Sequence, residues 1–155
     1  MEHEYEHDAP RRLWTLPSWL VNRVALQAGR LVAERLGDAG VRRKHFSVLA
    51  TLEEFGPMSQ AAIGRRLALD RSDLHAIVGD LERDGLIARA RDASDRRRNT
   101  VALTPKGKAA LKRLDARVRQ AQDELLAPLS SKEREQLVAL LTRVVEYHAA
   151  EPKHA

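Results

Sequence analysis

Between Leu69 and Thr104 the chain reads LDRSDLHAIVGDLERDGLIARARDASDRRRNTVALT, and this stretch limits the possible folds more than any other. Leu74, Ile77, Val78 and Leu81 recur with the i, i+3, i+4, i+7 spacing of one helical face. That pattern predicts an amphipathic helix over residues 71 to 83, lying on a hydrophobic core. At about 100° per residue the opposite face holds Ser72, Ala76, Gly79 and Arg83, with Asp73, His75 and Asp80 on its flanks. Short side chains near the helix start let the backbone come close to something large. Gly85 then ends the helix as a C′ residue does.

Two extended runs follow, Leu86 to Arg91 and Asn99 to Thr104. In the first, Ile87, Arg89 and Arg91 alternate with Leu86, Ala88 and Ala90, as a half-buried strand requires. The connection carries Asp92, Ala93, Ser94, Asp95 and the triplet Arg96, Arg97, Arg98, so the tip of the predicted hairpin is strongly cationic. A helix running straight into such a hairpin is the plan of a winged helix-turn-helix. One element suits the major groove of double-stranded DNA, and one arginine-bearing loop suits phosphates or the minor groove. Upstream, Phe46, Leu49, Leu52 and Phe55 predict a helix over His45 to Phe55, stopped by Gly56-Pro57. Ser59 is placed to cap a short helix whose Ile63 and Leu67 face inward while Gln60, Arg65 and Arg66 stay exposed. The turn between the two halves is then Ala68-Leu69-Asp70, with Asp70 as the next cap.

These residues resemble the MarR family of bacterial transcription regulators. The likeness is carried by Asp70-Arg71-Ser72, Leu81-Glu82-Arg83-Asp84-Gly85-Leu86-Ile87, Asp95-Arg96-Arg97 and Leu103-Thr104-Pro105-Lys106-Gly107, in that order and at family spacing. It implies a homodimer on a roughly palindromic operator, with repression as the expected sign and release by a small aromatic or acidic ligand. Asp95 and Arg97 match the family's Asp-x-Arg pattern, in which the aspartate orients the wing tip and the arginine enters the minor groove. Arg71, Arg89, Arg91, Arg96, Arg98 and Arg65 or Arg66 are candidates for phosphate, since a guanidinium pairs well with that group. Base reading falls to Ser72, Asp73, His75 and Ala76. Ala76 suits a thymine methyl, and Asp73 either accepts from cytosine N4 or supports the positive end of its helix. His75 is divided between phosphate and base.

The flanks read as long helices. Pro17 fits a first turn, and Leu20, Val21, Val24, Ala25, Ala28, Leu31 and Val32 sustain a stripe to Leu36, broken by Gly37 to Gly40. Trp14 and Trp19 sit at its start. Thr104-Pro105 opens a helix with the seam Leu111, Leu114, Val118, Ala121 and Leu125. Pro128 ends it, and Ser130 with Glu133 forms a capping box for the last helix, which carries Leu137, Leu140, Leu141, Val144, Val145 and His148. Three such helices exceed what a small reader needs, which points to an oligomerisation layer. The expected fold is mainly α with a small β-hairpin wing: a winged helix-turn-helix flanked by N- and C-terminal dimerisation helices. Residues 1–12 form a disordered tail, 13–40 the first dimerisation helix, 41–104 the DNA-binding domain, 105–149 the C-terminal dimerisation helices and 150–155 a tail. Where the dimer helices meet the reader, Trp19, Arg23, His45 and Phe46 are candidates for an effector pocket, with Arg23 able to hold a carboxylate.

A chain of 155 residues can bury about 70% of its unfolded surface, enough for one domain with a sizeable core. Lys plus Arg number 27 against 22 Asp plus Glu, a formal +5 that favours a polyanionic partner. The absence of cysteine excludes disulfides and thiol sensing. No apolar run reaches the ~20 residues of a membrane span, and the acidic N-terminus lacks a secretory signal, so a cytoplasmic protein is expected. The cluster Glu2, His3, Glu4, Glu6, His7 and Asp8 reads as a solvated tail rather than a metal site, and no cofactor is expected. With no catalytic carboxylate pair, nucleophile elbow or phosphate loop, an enzyme is disfavoured. The competing class is a winged-helix protein-interaction module without specific DNA binding.

Overall fold

A computed structural model describes residues 9–37, 43–91, 94 and 99–150. The elements are α1 (Arg11–Trp14), α2 (Pro17–Gly37), α3 (Arg43–Phe55), β1 (Met58–Ser59), α4 (Gln60–Leu67), α5 (Arg71–Arg83), β2 (Ile87–Arg91), β3 (Asn99–Leu103), α6 (Pro105–Leu125) and α7 (Ser131–Ala150). The N-terminal acidic cluster, the break after Gly37 and the triplet Arg96 to Arg98 lie outside the described residues. Arg11 and Arg12 belong to the short helix α1, so helical structure begins before residue 13.

The helix starts follow from local chemistry. Ser59 accepts the Ala62 N–H at 3.2 Å, and Thr104 accepts the Gly107 N–H at 3.0 Å with Pro105 following. Ser130 and Glu133 satisfy each other's backbone N–H groups at 3.3 and 2.8 Å. At the end of α5, Gly85 takes φ 73°. The Leu86 N–H then reaches the Leu81 carbonyl at 2.9 Å and the Gly85 N–H reaches Glu82 at 3.0 Å, which closes a Schellman motif.

The sheet has three antiparallel strands in the order β1-β3-β2, one more than the expected hairpin. Met58 and Ser59 pair with Val101 and Thr100, and Ile87 to Arg91 pair with Leu103 to Asn99. A strand of two residues is too short to show alternation, and only its partner makes it one.

A single hydrophobic cluster joins α2 to the reader. Leu31, Val32 and Leu36 of α2 and Ala110, Leu111, Leu114 and Ala121 of α6 belong to the same core as Leu49, Ile63, Val78, Leu81 and Ile87. The boundaries near residues 41 and 105 are therefore not breaks in packing. Helix α6 uses its seam mainly against α2, and Arg35 donates to Glu124 across that contact at 2.8 Å. Helix α7, by contrast, buries none of its residues.

Four bonds staple the base of the wing to α6. The Thr104 N–H donates to the Leu86 carbonyl at 3.1 Å, and the Thr104 hydroxyl donates to Gly85 at 2.7 Å. The same hydroxyl oxygen caps α6, and Lys106 Nζ donates to the Asp84 carbonyl at 2.9 Å.

Candidate nucleic-acid interface

Helix α5 begins at Arg71 because Asp70 caps it. The Asp70 carboxylate accepts the Asp73 N–H at 2.7 Å and the Ser72 hydroxyl at 2.9 Å. These bonds, the Asp73 N–H foremost, hold the Asp70 carboxyl below the usual carboxylate range, so the cap stays ionised at the positive end of the helix. The preceding turn is tight. Ala68 adopts φ 52°, in the left-handed region, and the Leu69 N–H returns to the Gly64 carbonyl at 3.0 Å. A Cβ on Gly64 would sit 3.3 Å from Leu74 Cδ2, so the missing side chain is what lets α4 approach α5 this closely.

This arrangement makes a shallow concavity of about 1200 Å³ that brings Arg65, Arg71, Ser72, His75 and Arg89 onto one surface. Gln60, expected to stay exposed beside Arg65, lines it as well, and so does Asn99, for which no periodic or compositional signal exists in the residues. Arg65 comes from the last turn of α4, Arg71, Ser72 and His75 from the first two turns of α5, and Arg89 from β2. Arg89 is steered by Glu82, whose carboxylate accepts its Nε–H at 2.8 Å. Ala76 is exposed on α5, and a Cβ on Gly79 would meet nothing within 4 Å, so this face is low and open. Arg91 is exposed at the end of β2. Asp95, Arg96, Arg97 and Arg98 lie outside the described residues. Arg66 stacks on the exposed Phe55 ring, its guanidinium carbon 4.0 Å from the centroid.

Asp73 stands apart from this surface. Its carboxylate is ion-paired with Lys44 at the start of α3. Two turns further along α5, Asp80 accepts from His45 Nε2 at 3.1 Å and pairs with Arg83 at 3.2 Å. The His45 bond foremost, then the Arg83 charge, hold the Asp80 carboxyl below its ordinary range. Consecutive residues of α3 thus grip two carboxylates on one flank of α5.

The expected effector residues each have contacts of their own within the chain. Trp19 packs edge-on against Trp14 at 5.0 Å, and Arg23 lies 5.5 Å from the Trp19 centroid. His45 is 6% exposed and committed to Asp80. Phe46 is turned toward α6, in a groove with Ala50 and Lys108. Adjacent positions on a helix point about 100° apart, so His45 and Phe46 diverge.

Comparison with known proteins agrees with this geometry. A model described as the MarR family matches residues 39–98. The chain is 33% identical, over 113 residues, to a putative transcriptional regulatory protein for the hcr operon of Thauera aromatica, covering 73% of this chain and 68% of the relative. The crystal structure of a probable transcriptional regulator from Pseudomonas aeruginosa superposes with a TM-score of 0.78 at 34% identity, over 86% of this chain and 99% of that one. A mutant MarR from E. coli, complexed with operator DNA, superposes with a TM-score of 0.72 at 25% identity, over 81% of this chain and 90% of that one. With this winged helix and these relatives, the chain belongs to the MarR family of transcriptional regulators, which are DNA-binding proteins and not enzymes.

Proposed function

We propose that this protein is a cytoplasmic, sequence-specific repressor that binds a pseudo-palindromic operator as a homodimer and is released by a small ligand. The observation that carries the reading is the concave surface uniting Arg65, Arg71, Ser72, His75 and Arg89 around the open start of α5. Its guanidinium groups suit phosphates, while Ser72, His75 and Ala76 sit where a helix in the major groove meets base edges. Repression needs nothing more than occupancy of the site.

Dimerisation rests on the unpartnered apolar faces. Val21, Val24 and Leu26 of α2 are exposed, as are Val138, Leu140, Leu141, Val144, Val145 and Tyr147 of α7. A run of large apolar side chains along a 20-residue helix is far more than a soluble monomer tolerates on its surface. A second copy covers it and sets two α5 helices about 34 Å apart, one turn of B-DNA. A ligand then acts by binding one separation of the two helices more tightly than the other.

The test is selection of genomic DNA fragments by the full-length protein, followed by gel shift of the enriched duplex and its scramble at several salt concentrations. The enriched duplex should bind with a steep negative salt slope. Arg71→Ala should lower the slope by roughly 1.8, two phosphates per dimer at about 0.9 each. Equal binding of duplex and scramble would instead favour a protein-interaction module.

A further inference from the structure

The C-terminal end of α5 and the adjoining face of α6 enclose a cleft of about 540 Å³, away from the concave surface at the start of α5. Four cations line it, Arg83, Lys106, Arg113 and Arg117, against one carboxylate, Asp84, while Leu86 and Leu114 form an apolar floor. Two of the cations are engaged. Arg83 lies 3.2 Å from the Asp80 carboxylate, and Lys106 Nζ donates to the Asp84 backbone carbonyl at 2.9 Å.

Arg113 and Arg117 have no ion-pair or hydrogen-bond partner among the described residues, and Arg117 Nη1 is shut off from solvent without an acceptor. A buried guanidinium donor left unmatched is costly, and like charges at i and i+4 on a helix oppose each other. The cleft therefore carries an excess of positive charge, four cations to one carboxylate. A single carboxylate would leave most of its charge unmatched, whereas two carboxylates on a short apolar body would meet both free guanidinium groups and the floor between them.

We propose that this cleft binds a small dicarboxylate through Arg113 and Arg117, and that the bound ligand acts on DNA binding by drawing Arg83 away from Asp80. The coupling rests on the DNA-binding reading above; the site itself does not. Asp80 is also the acceptor of His45, so a change at Arg83 reaches the contact that seats α5 against α3.

The test is calorimetric titration of the full-length protein with glutaramide, glutaramate and glutarate, which carry zero, one and two charges on one skeleton. Glutarate should bind at least about tenfold more tightly than glutaramate, and glutaramide should not bind measurably. Arg113→Gln, at an exposed position, and Arg117→Lys should each weaken glutarate binding severalfold, while Arg119→Gln, whose partner is Asp115, should not. Equal affinity across the series, or full binding by both Arg113→Gln and Arg117→Lys, overturns the site. Gel shifts with the selected operator separate the two halves of the proposal. Glutarate binding with unchanged operator affinity overturns the coupling. A charge-dependent series in a protein that binds no operator upholds the site and removes the DNA reading instead.

Discussion

Gly107 is the residue whose replacement tests most directly how the wing is held on the scaffold. A Cβ at this position would lie 2.0 Å from the Leu86 carbonyl oxygen, 2.8 Å from Leu103 Cδ1 and 3.0 Å from the Leu86 carbonyl carbon. The carbonyl belongs to the backbone and accepts the Thr104 N–H, so it cannot swing aside as a side-chain tip would. Gly107→Ala must part α6 from the base of the wing by about 1 Å before the closest contact becomes tolerable. Overpacking of this kind costs about 1–3 kcal/mol. Weakening the Thr104 cap costs about 1 kcal/mol, and loosening the Thr104 to Leu86 bond costs about as much again. Alanine returns about 1 kcal/mol through helix propensity. The net expectation is a loss of roughly 2–4 kcal/mol, with a melting temperature lower by roughly 5–15 °C in a chain of this size. Urea denaturation and thermal circular dichroism at one fixed protein concentration would measure it, since any dimer makes both depend on concentration. Operator affinity should fall too, because the wing is displaced. A variant as stable as the parent, or more so, would refute the packing argument.

Three further outcomes follow from the interface. Asp73→Asn and Lys44→Gln should each weaken operator binding by a similar few-fold factor across sequences, measured by gel shift; a change of base preference confined to Asp73→Asn would instead favour the cytosine reading. Val144→Glu on the exposed face of α7 should yield a helical monomer by analytical ultracentrifugation, and a persisting dimer would place the subunit contact elsewhere. Asp70, Asp80 and Glu133 all have carboxyl pKa values lowered in the folded chain. Their stabilisation is complete above the unfolded carboxyl range near ~4 and is lost as pH falls through the lowered folded values. Melting temperature measured from pH 7 to pH 3 should therefore drop at the acid end, and less steeply in Asp80→Asn.

The sequence by itself determined what depends on neighbours along the chain. The limits of α5, the caps at Ser59, Asp70, Thr104 and Ser130, and the stop at Gly85 each involve groups within a few residues of one another. Apolar spacing placed the buried faces for the same reason, because a helix has a fixed period. Tertiary structure decided whatever joins distant segments. Strand β1 exists only because β3 lies beside it, more than 40 residues on. Lys44 and His45 meet Asp73 and Asp80 across gaps of 29 and 35 residues, contacts that no local pattern announces. Arg113 and Arg117 look like ordinary solvated charges in a helical pattern. Packing α6 against the end of α5 turns them into one side of a cationic cleft, because the sequence specifies which groups are present and the close approach of two helices specifies which must share a space.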